Sequence, residues 1–328
     1  MNNTNLNINA PCKICGNKND NTYYLVKEMM YGLKETFDYF QCDNCKCLQI
    51  AEIIDDMSKY YPSNYYSFSE FTGKTFKGFS GWIKKKRYEY TIFNNSILKK
   101  IFIYIAKKKG YDIFSKIIIN KSDKILDVGC GNGEHFLYPL AEVGFKNLIG
   151  CDPYIKQDLQ YDNGLQIKKE NILKLEQKFD FITYHHSFEH LSNPFENLKK
   201  VNNLLTTDGI CIIRIPTVTS YAWQHYRANW VQLDAPRHFF LHSKKSIEIL
   251  ADKNGLELFK IEYDSNHFQF TGSELYIKGI PLKDLKNKAV KKMIKKNKPL
   301  YNKKARLLNK ENKGDQAIFF LRKKVQSL

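Results

Sequence analysis

Short apolar runs and helix-spaced apolar positions alternate along the middle of this chain. Lys124-Ile125-Leu126 is a run suited to a buried parallel strand, and from Glu134 to Val143 the residues Phe136, Leu137, Leu140 and Val143 share one helical face. Lys146 to Asp152 reads as the next strand and Gly164 to Ile167 as a third, so alternation from about Ser122 to Leu205 predicts a parallel sheet. Strand character returns at Leu256–Ile261, and Ala317–Leu321 suits an antiparallel strand that closes the sheet. Upstream, Phe79 to Ile119 read as helices with Ile92, Phe93, Ile97, Leu98, Ile101 and Ile105 apolar. They cover one side of the sheet or, given their basic flanks, lie on a membrane surface. Tyr23 to Gln41, rich in Tyr, Phe, Val and Thr, predicts a β-hairpin.

Between the first strand and its helix runs Asp127-Val128-Gly129-Cys130-Gly131-Asn132-Gly133. Glycines at alternate positions let a ligand lie on the loop, close to the free N–H groups of a helix start. Asp152, 25 residues after Asp127, ends the next strand and can accept both hydroxyls of a ribose. In the dinucleotide fingerprint this turn holds a pyrophosphate, which Asp127 would repel. An ammonium it would attract. A ligand with an ammonium, a ribose and no phosphate is S-adenosylmethionine, with Asp127, Gly129, Gly131, Asn132 and Asp152 as its binding residues.

From these residues onward the chain resembles the class I S-adenosylmethionine-dependent methyltransferases. Phe179–Tyr184 is similar to their fourth strand and His185-His186-Ser187-Phe188-Glu189-His190-Leu191 to the Glu-His motif after it; Ser192-Asn193-Pro194 opens the following helix, and Asp208–Pro216 resembles their fifth strand. The resemblance implies an α/β Rossmann-like fold, a seven-stranded mostly parallel sheet with helices on both faces. It also implies that Asn171 stands where an acidic residue reads the adenine amino group. His186, near the strand end, lines the cofactor through its backbone. Trp230 to His238 resembles the W…D-x-P-R-H segment that follows the fifth strand in many of these enzymes.

Methyl transfer needs alignment and exclusion of water, and a hydroxyl acceptor needs a base. His190 is the candidate base, with Glu189 orienting or neutralising it. Trp230, Arg237 and His238 are candidates for binding a polyhydroxyl or anionic acceptor.

The cysteines add a second feature. Cys12-x-x-Cys15 and Cys42-x-x-Cys45 are two knuckles separated by 26 residues, suited to one tetrahedral zinc ion in a small ribbon-like module. Such a closed set makes the ion structural. Cys47 is a substitute ligand or a buried thiol. A cysteine head, then Tyr60-Tyr61-Pro62-Ser63-Asn64-Tyr65-Tyr66, then the methyltransferase core resembles a bacterial group acting on sugars. Tyr65 and Tyr66 are the residues of that segment expected to reach an acceptor. The implied activity is methylation of a hydroxyl or carbon on a nucleotide- or lipid-linked saccharide, as in surface polysaccharide synthesis.

The chain thus divides into a zinc-binding module at 1-60, a helical lead-in at 61-120 and a methyltransferase domain at 121-328, with an aromatic insertion at 217-243 and a lysine-rich one at 283-315. With 328 residues it can bury a full core. Its first eleven residues lack an apolar leader, so a cytoplasmic enzyme is expected. Of the formal charge of +18, much lies at 283-313, where thirteen Lys or Arg face two acids. Such a run is a solvated face or a contact with an anionic surface, which would make the enzyme membrane-peripheral. It also keeps open an RNA methyltransferase. A non-catalytic cofactor-binding protein is the third reading; an intact loop and Asp152 speak against it.

Overall fold

A computed structural model describes residues 10–62, 71, 76–93, 113–114 and 117–325. Tyr65 and Tyr66, and the lead-in positions Ile97, Leu98, Ile101 and Ile105, lie outside them. The strands are β1 (Thr22–Lys27), β2 (Thr36–Gln41), β3 (Leu48–Ile50), β4 (Lys124–Val128), β5 (Asn147–Cys151), β6 (Leu159–Gln160), β7 (Gln166–Lys168), β8 (Phe179–His185), β9 (Leu205–Pro216), β10 (Phe240–Leu241), β11 (Leu256–Tyr263) and β12 (Gln316–Lys323). The helices are α1 (Gly78–Phe93), α2 (Leu137–Glu142), α3 (Pro194–Leu204), α4 (Tyr221–Tyr226), α5 (Lys244–Lys253), α6 (Phe268–Ile277) and α7 (Lys288–Lys310). None of them is long and apolar enough to cross a membrane.

Two compact units share the chain, and β9 passes from one into the other. The first unit takes in Ser63–His185 and Asn203–Cys211. Its strand order is β9-β8-β4-β5-β7-β6, with β4 parallel to both β5 and β8, β5 parallel to β7, and the short β6 antiparallel at the edge. Ile125, Leu126 and Val128 of β4 are all buried, as expected for a parallel strand covered on both faces. The second unit holds Met1–Pro62, His186–Asn202 and Ile212–Leu328, and its part of the large sheet is ordered β11-β12-β9, with β11 and β12 antiparallel. The seven expected strands of a Rossmann-like sheet are present, and two-residue β6 is an addition.

One expected helix is shorter than its periodicity implies. The pattern from Glu134 to Val143 gives only α2, from Leu137 to Glu142. Two local bonds hold residues 133–136 in turns: Asn132 Oδ1 accepts the Glu134 N–H (3.0 Å), and Gly133 donates to the Cys130 carbonyl (3.0 Å). The apolar face survives, since Phe136, Leu137, Leu140 and Val143 are all buried.

In the second unit the cysteine-bearing strands form an antiparallel sheet ordered β1-β2-β3-β10. The β1–β2 hairpin pairs Thr22 with Gln41 and Lys27 with Thr36. The fourth strand, β10, comes from the aromatic segment, with Phe240 opposite Gln49 and Leu241 opposite Leu48. Around this junction the Tyr39 hydroxyl donates to the His238 carbonyl (2.8 Å), and Ser243 donates to the Cys45 carbonyl (2.5 Å). Residues 217-243 therefore complete the N-terminal sheet. The lysine-rich segment becomes α7, which buries Val290, Ala305 and Leu308 and turns most of its cations outward. Asn302 and Asn309 tie it to the β11–α6 connection by accepting the backbone N–H groups of His267 (3.3 Å) and Ser265 (3.2 Å).

Candidate functional site

In the first unit the glycine loop lies between the C-terminal ends of β4 and β5. Gly129 donates to the Cys151 carbonyl (2.8 Å), and Gly133 adopts φ +75° where an added Cβ would meet Ile167 Cδ1 at 2.9 Å. Only glycine suits that position. Asp152, at the end of β5, accepts N–H bonds from Gly131 at Oδ2 (2.9 Å) and from Tyr154 at Oδ1 (2.8 Å). These bonds aim its carboxylate beside the loop, while burial raises its pKa. Asp127 is buried, with Oδ1 accepting the Thr183 hydroxyl (2.8 Å). Burial, with a smaller contribution from the charge of Asp152, pushes its carboxyl up to about 8 against the pull of the Thr183 bond. Asn132 braces the loop: its carbonyl accepts the Tyr161 hydroxyl (2.7 Å). A loop flanked by two carboxylates suits a cationic, phosphate-free ligand. Asn171, by contrast, is exposed and caps a 3-10 turn by accepting the Leu173 N–H (3.0 Å).

Glu189 in the second unit is fully buried, and neither carboxylate oxygen has a hydrogen-bond partner among the described residues. Three histidines surround it. His186 Nδ1 stands 3.5 Å from Oε1 and His238 Nε2 3.9 Å, and a ring nitrogen of His190 lies within 4.8 Å of a Glu189 oxygen and of a His238 nitrogen. Burial works against the charge on Glu189, but the histidines outweigh it and hold the carboxyl to about 2. Burial and neighbouring His238 lower His190. His190 Nδ1 donates to the Arg237 carbonyl (2.8 Å) and His238 Nδ1 to the Gln232 carbonyl (2.8 Å), so each keeps its lone pair on Nε2.

Other residues selected from the sequence belong to the framework. Trp230 is fully buried and donates from its indole to Asp315 Oδ2 (3.0 Å). Arg237, also fully buried, donates to Glu28 Oε1 (2.9 Å) and to both oxygens of Asp234 (2.6 and 3.0 Å). An acceptor has no access to either side chain. His186 takes φ +54°, donates its backbone N–H to the Arg214 carbonyl (2.9 Å) and meets Arg214 Nη1 through Nε2 (2.8 Å). Its backbone N–H is therefore committed within its own unit. Sequence reasoning missed Glu28, whose carboxylate also accepts the N–H groups of Tyr31 and Leu33 (both 2.9 Å). Periodicity carries no sign of a partner 209 residues away.

The four knuckle cysteines converge in the same unit. Cys12 and Cys45 Sγ are 3.5 Å apart, as are Cys15 and Cys42, all four sulfurs lie within 4.8 Å of one another, and none is in a disulfide. A tetrahedral ion bound at ~2.3 Å spaces its sulfurs by roughly 3.8 Å, so the cluster fits a metal. Gln49 donates to Cys12 Sγ (3.1 Å), a contact that favours a thiolate. Cys47 is buried beside His242 and raised by burial, as a structural thiol is.

Residues 102–261 match the family described as a methyltransferase domain. A tRNA U34 carboxymethyltransferase of Campylobacter hominis is 31% identical over 96 residues, covering 26% of this chain and 33% of that protein. Its counterpart from Campylobacter fetus subsp. fetus is 32% identical over 106 residues, covering 29% and 37%. The chain thus spans about a third of the length of the curated relatives it matches. Among solved structures, the cyclopropane synthase MmaA2 from Mycobacterium tuberculosis aligns with 71% of this chain and 88% of its own, at 14% identity and a TM-score of 0.42.

Proposed function

We propose that this S-adenosylmethionine-dependent methyltransferase, which carries a class I domain, methylates a saccharide held on a nucleotide or lipid carrier. When bound, the donor supplies an electrophilic methyl group on a sulfonium. Asp152 would receive the ribose hydroxyls, the Gly129–Gly133 loop would hold the donor, and Asp127 would offer its charge to the ammonium. The observation that carries the acceptor reading is Glu189, buried and ringed by histidines. A sugar hydroxyl is a weak nucleophile at neutral pH and needs a base. His190 takes that proton on Nε2 while Glu189 stabilises the imidazolium.

Incubation of labelled donor with sugar nucleotides, lipid-linked sugars and bulk tRNA tests the reading. Label is expected in a saccharide; label in tRNA alone would replace this acceptor with RNA. Two observations favour that second reading, the outward cations of α7 and the tRNA-modifying activity in the names of the Campylobacter relatives. A shared donor domain does not carry acceptor choice. RNA affinity that falls steeply with salt would support the alternative.

Replacement of Asp152 by alanine removes the ribose acceptor and leaves the Gly131 and Tyr154 N–H groups without their partner. Donor affinity measured by calorimetry is expected to fall about 100-fold, on the order of two charged hydrogen bonds.

The four cysteines hold zinc in this reading, and because four thiolates close the coordination shell its role is structural. The Cys42→Ser variant is expected to retain one ion per chain fewer than the native protein and to melt at lower temperature. Unchanged metal content would remove zinc from these cysteines.

A further inference from the structure

The same buried carboxylate has a second use that does not depend on the identity of the acceptor. We propose that Glu189, His190 and His238 form a divalent transition-metal site, distinct from the four cysteines, of the two-histidine, one-carboxylate type. One ligand atom from each lies within 4.8 Å of the other two, and all three residues are in one compact unit.

Three features of the geometry carry this assignment. First, both oxygens of Glu189 are buried without a hydrogen bond among the described residues. Oxygens that make no hydrogen bond keep their lone pairs free for a cation, which would offset the desolvation of the carboxylate. Second, His190 and His238 each donate Nδ1–H to a backbone carbonyl, at 2.8 Å in both cases. That bond is the usual outer support of a metal-bound imidazole, because it fixes the tautomer and leaves the lone pair on Nε2, the atom that His238 holds 3.9 Å from Glu189 Oε1. Third, the surrounding charge does not oppose a cation. Arg237 is already neutralised by Glu28 and Asp234, Arg214, which meets His186, is paired with Asp264, and Asp234 Oδ2 itself stands 3.9 Å from His238 Nε2. His186 Nδ1, 3.5 Å from Glu189, is placed to support the carboxylate from outside the coordination shell.

Ligands bound to one ion at ~2.0–2.1 Å in tetrahedral array stand roughly 3.4 Å apart, so the 3.9 Å edge from His238 to Glu189 closes by about half an ångström on loading. Mixed nitrogen and oxygen donors favour zinc, iron, cobalt or nickel over magnesium or calcium. Three protein ligands leave at least one position for water or an acceptor oxygen. An ion here commits the His190 lone pair, so metal and proton compete for the same atom.

Cobalt(II) titration of the full-length, metal-free chain separates the two sites, since only the cysteine site gives intense thiolate-to-metal absorption. Two equivalents are expected to bind, one with that absorption and one with weak visible bands alone. The variants Glu189→Gln and His238→Ala are expected to keep the thiolate band and lose the second equivalent, with circular dichroism unchanged. A single equivalent in the native chain, or a second equivalent that survives in both folded variants, overturns the site. Neither donor nor acceptor is present, so an error in the acceptor assignment leaves this count untouched.

Discussion

The Asp127→Asn variant is expected to be more stable than the native protein at pH 9 and to bind the donor far more weakly. Asp127 is buried, and its pKa of about 8 lies well above the value near 3.9 of an unfolded chain. A carboxyl whose folded pKa is raised favours the fold fully below pH ~4. That contribution is lost as pH climbs through ~8, because the folded state then holds a charge it disfavours. The asparagine side chain keeps the Thr183 bond and carries no charge. The stability difference between variant and native protein should therefore be small below about pH 4, grow steadily from about pH 5 through pH 7, and level off above about pH 8. Its ceiling is about 5 kcal/mol by linkage. Urea titrations at pH 6 and pH 9 read it directly.

Donor binding runs the other way. An ammonium beside Asp127 stabilises the ionised form, so below pH 8 the native protein should release up to one proton on binding. Its donor affinity should rise by as much as about tenfold per pH unit up to that point. Calorimetry in buffers of different ionisation enthalpy measures the proton. Equal donor affinity in the native and Asp127→Asn proteins would remove Asp127 from the donor site.

The Arg237→Leu variant is expected to lose about 3–5 kcal/mol of folding stability. Its guanidinium lies between Glu28, which is fully buried, and Asp234, and removal leaves both carboxylates facing each other in the interior. Burial alone would raise Asp234; Arg237 outweighs that and holds it below the usual range. Lysine cannot reproduce the forked contact to Asp234, so Arg237→Lys should recover only part of the loss. Combining Arg237→Leu with Glu28→Gln should be less destabilising than the two single changes added together, the mark of a direct pair. Because the Arg237 side chain anchors the segment whose backbone carbonyl meets His190, methyl transfer should fall in both Arg237 variants even where they remain folded. Urea midpoints and turnover on the same preparations test both effects.

The glycine loop and the two carboxylates beside it were legible along the chain because their determinants are local. Asp127, the glycines and Asp152 sit on consecutive strand ends, and a parallel strand buried on both faces announces itself as an unbroken apolar run such as Lys124–Val128. The extent of α2 was not legible, because the Glu134 N–H bond to the Asn132 side chain and the Gly133–Cys130 turn outweighed a periodicity that persists over 134–136. Burial misled in a different way at Trp230 and Arg237. Aromatic and guanidinium groups suit sugar and phosphate contacts as readily as they suit a core, and only the partners Asp315, Glu28 and Asp234 decide between the two.

By itself the sequence determined that a Rossmann-like sheet would form, where its glycine loop would lie, and that four cysteines came in two pairs. Each of these follows from local pattern and spacing, repeated along the chain in the case of the sheet. Tertiary structure decided that the aromatic segment supplies the fourth strand of the cysteine module, that Arg237 closes on Glu28, and that His238 meets Glu189. Those pairings join positions 49 to 209 residues apart. What selects them is the cost of leaving charge and backbone polar groups unpaired in the interior, a cost that exists only after the chain has closed around them.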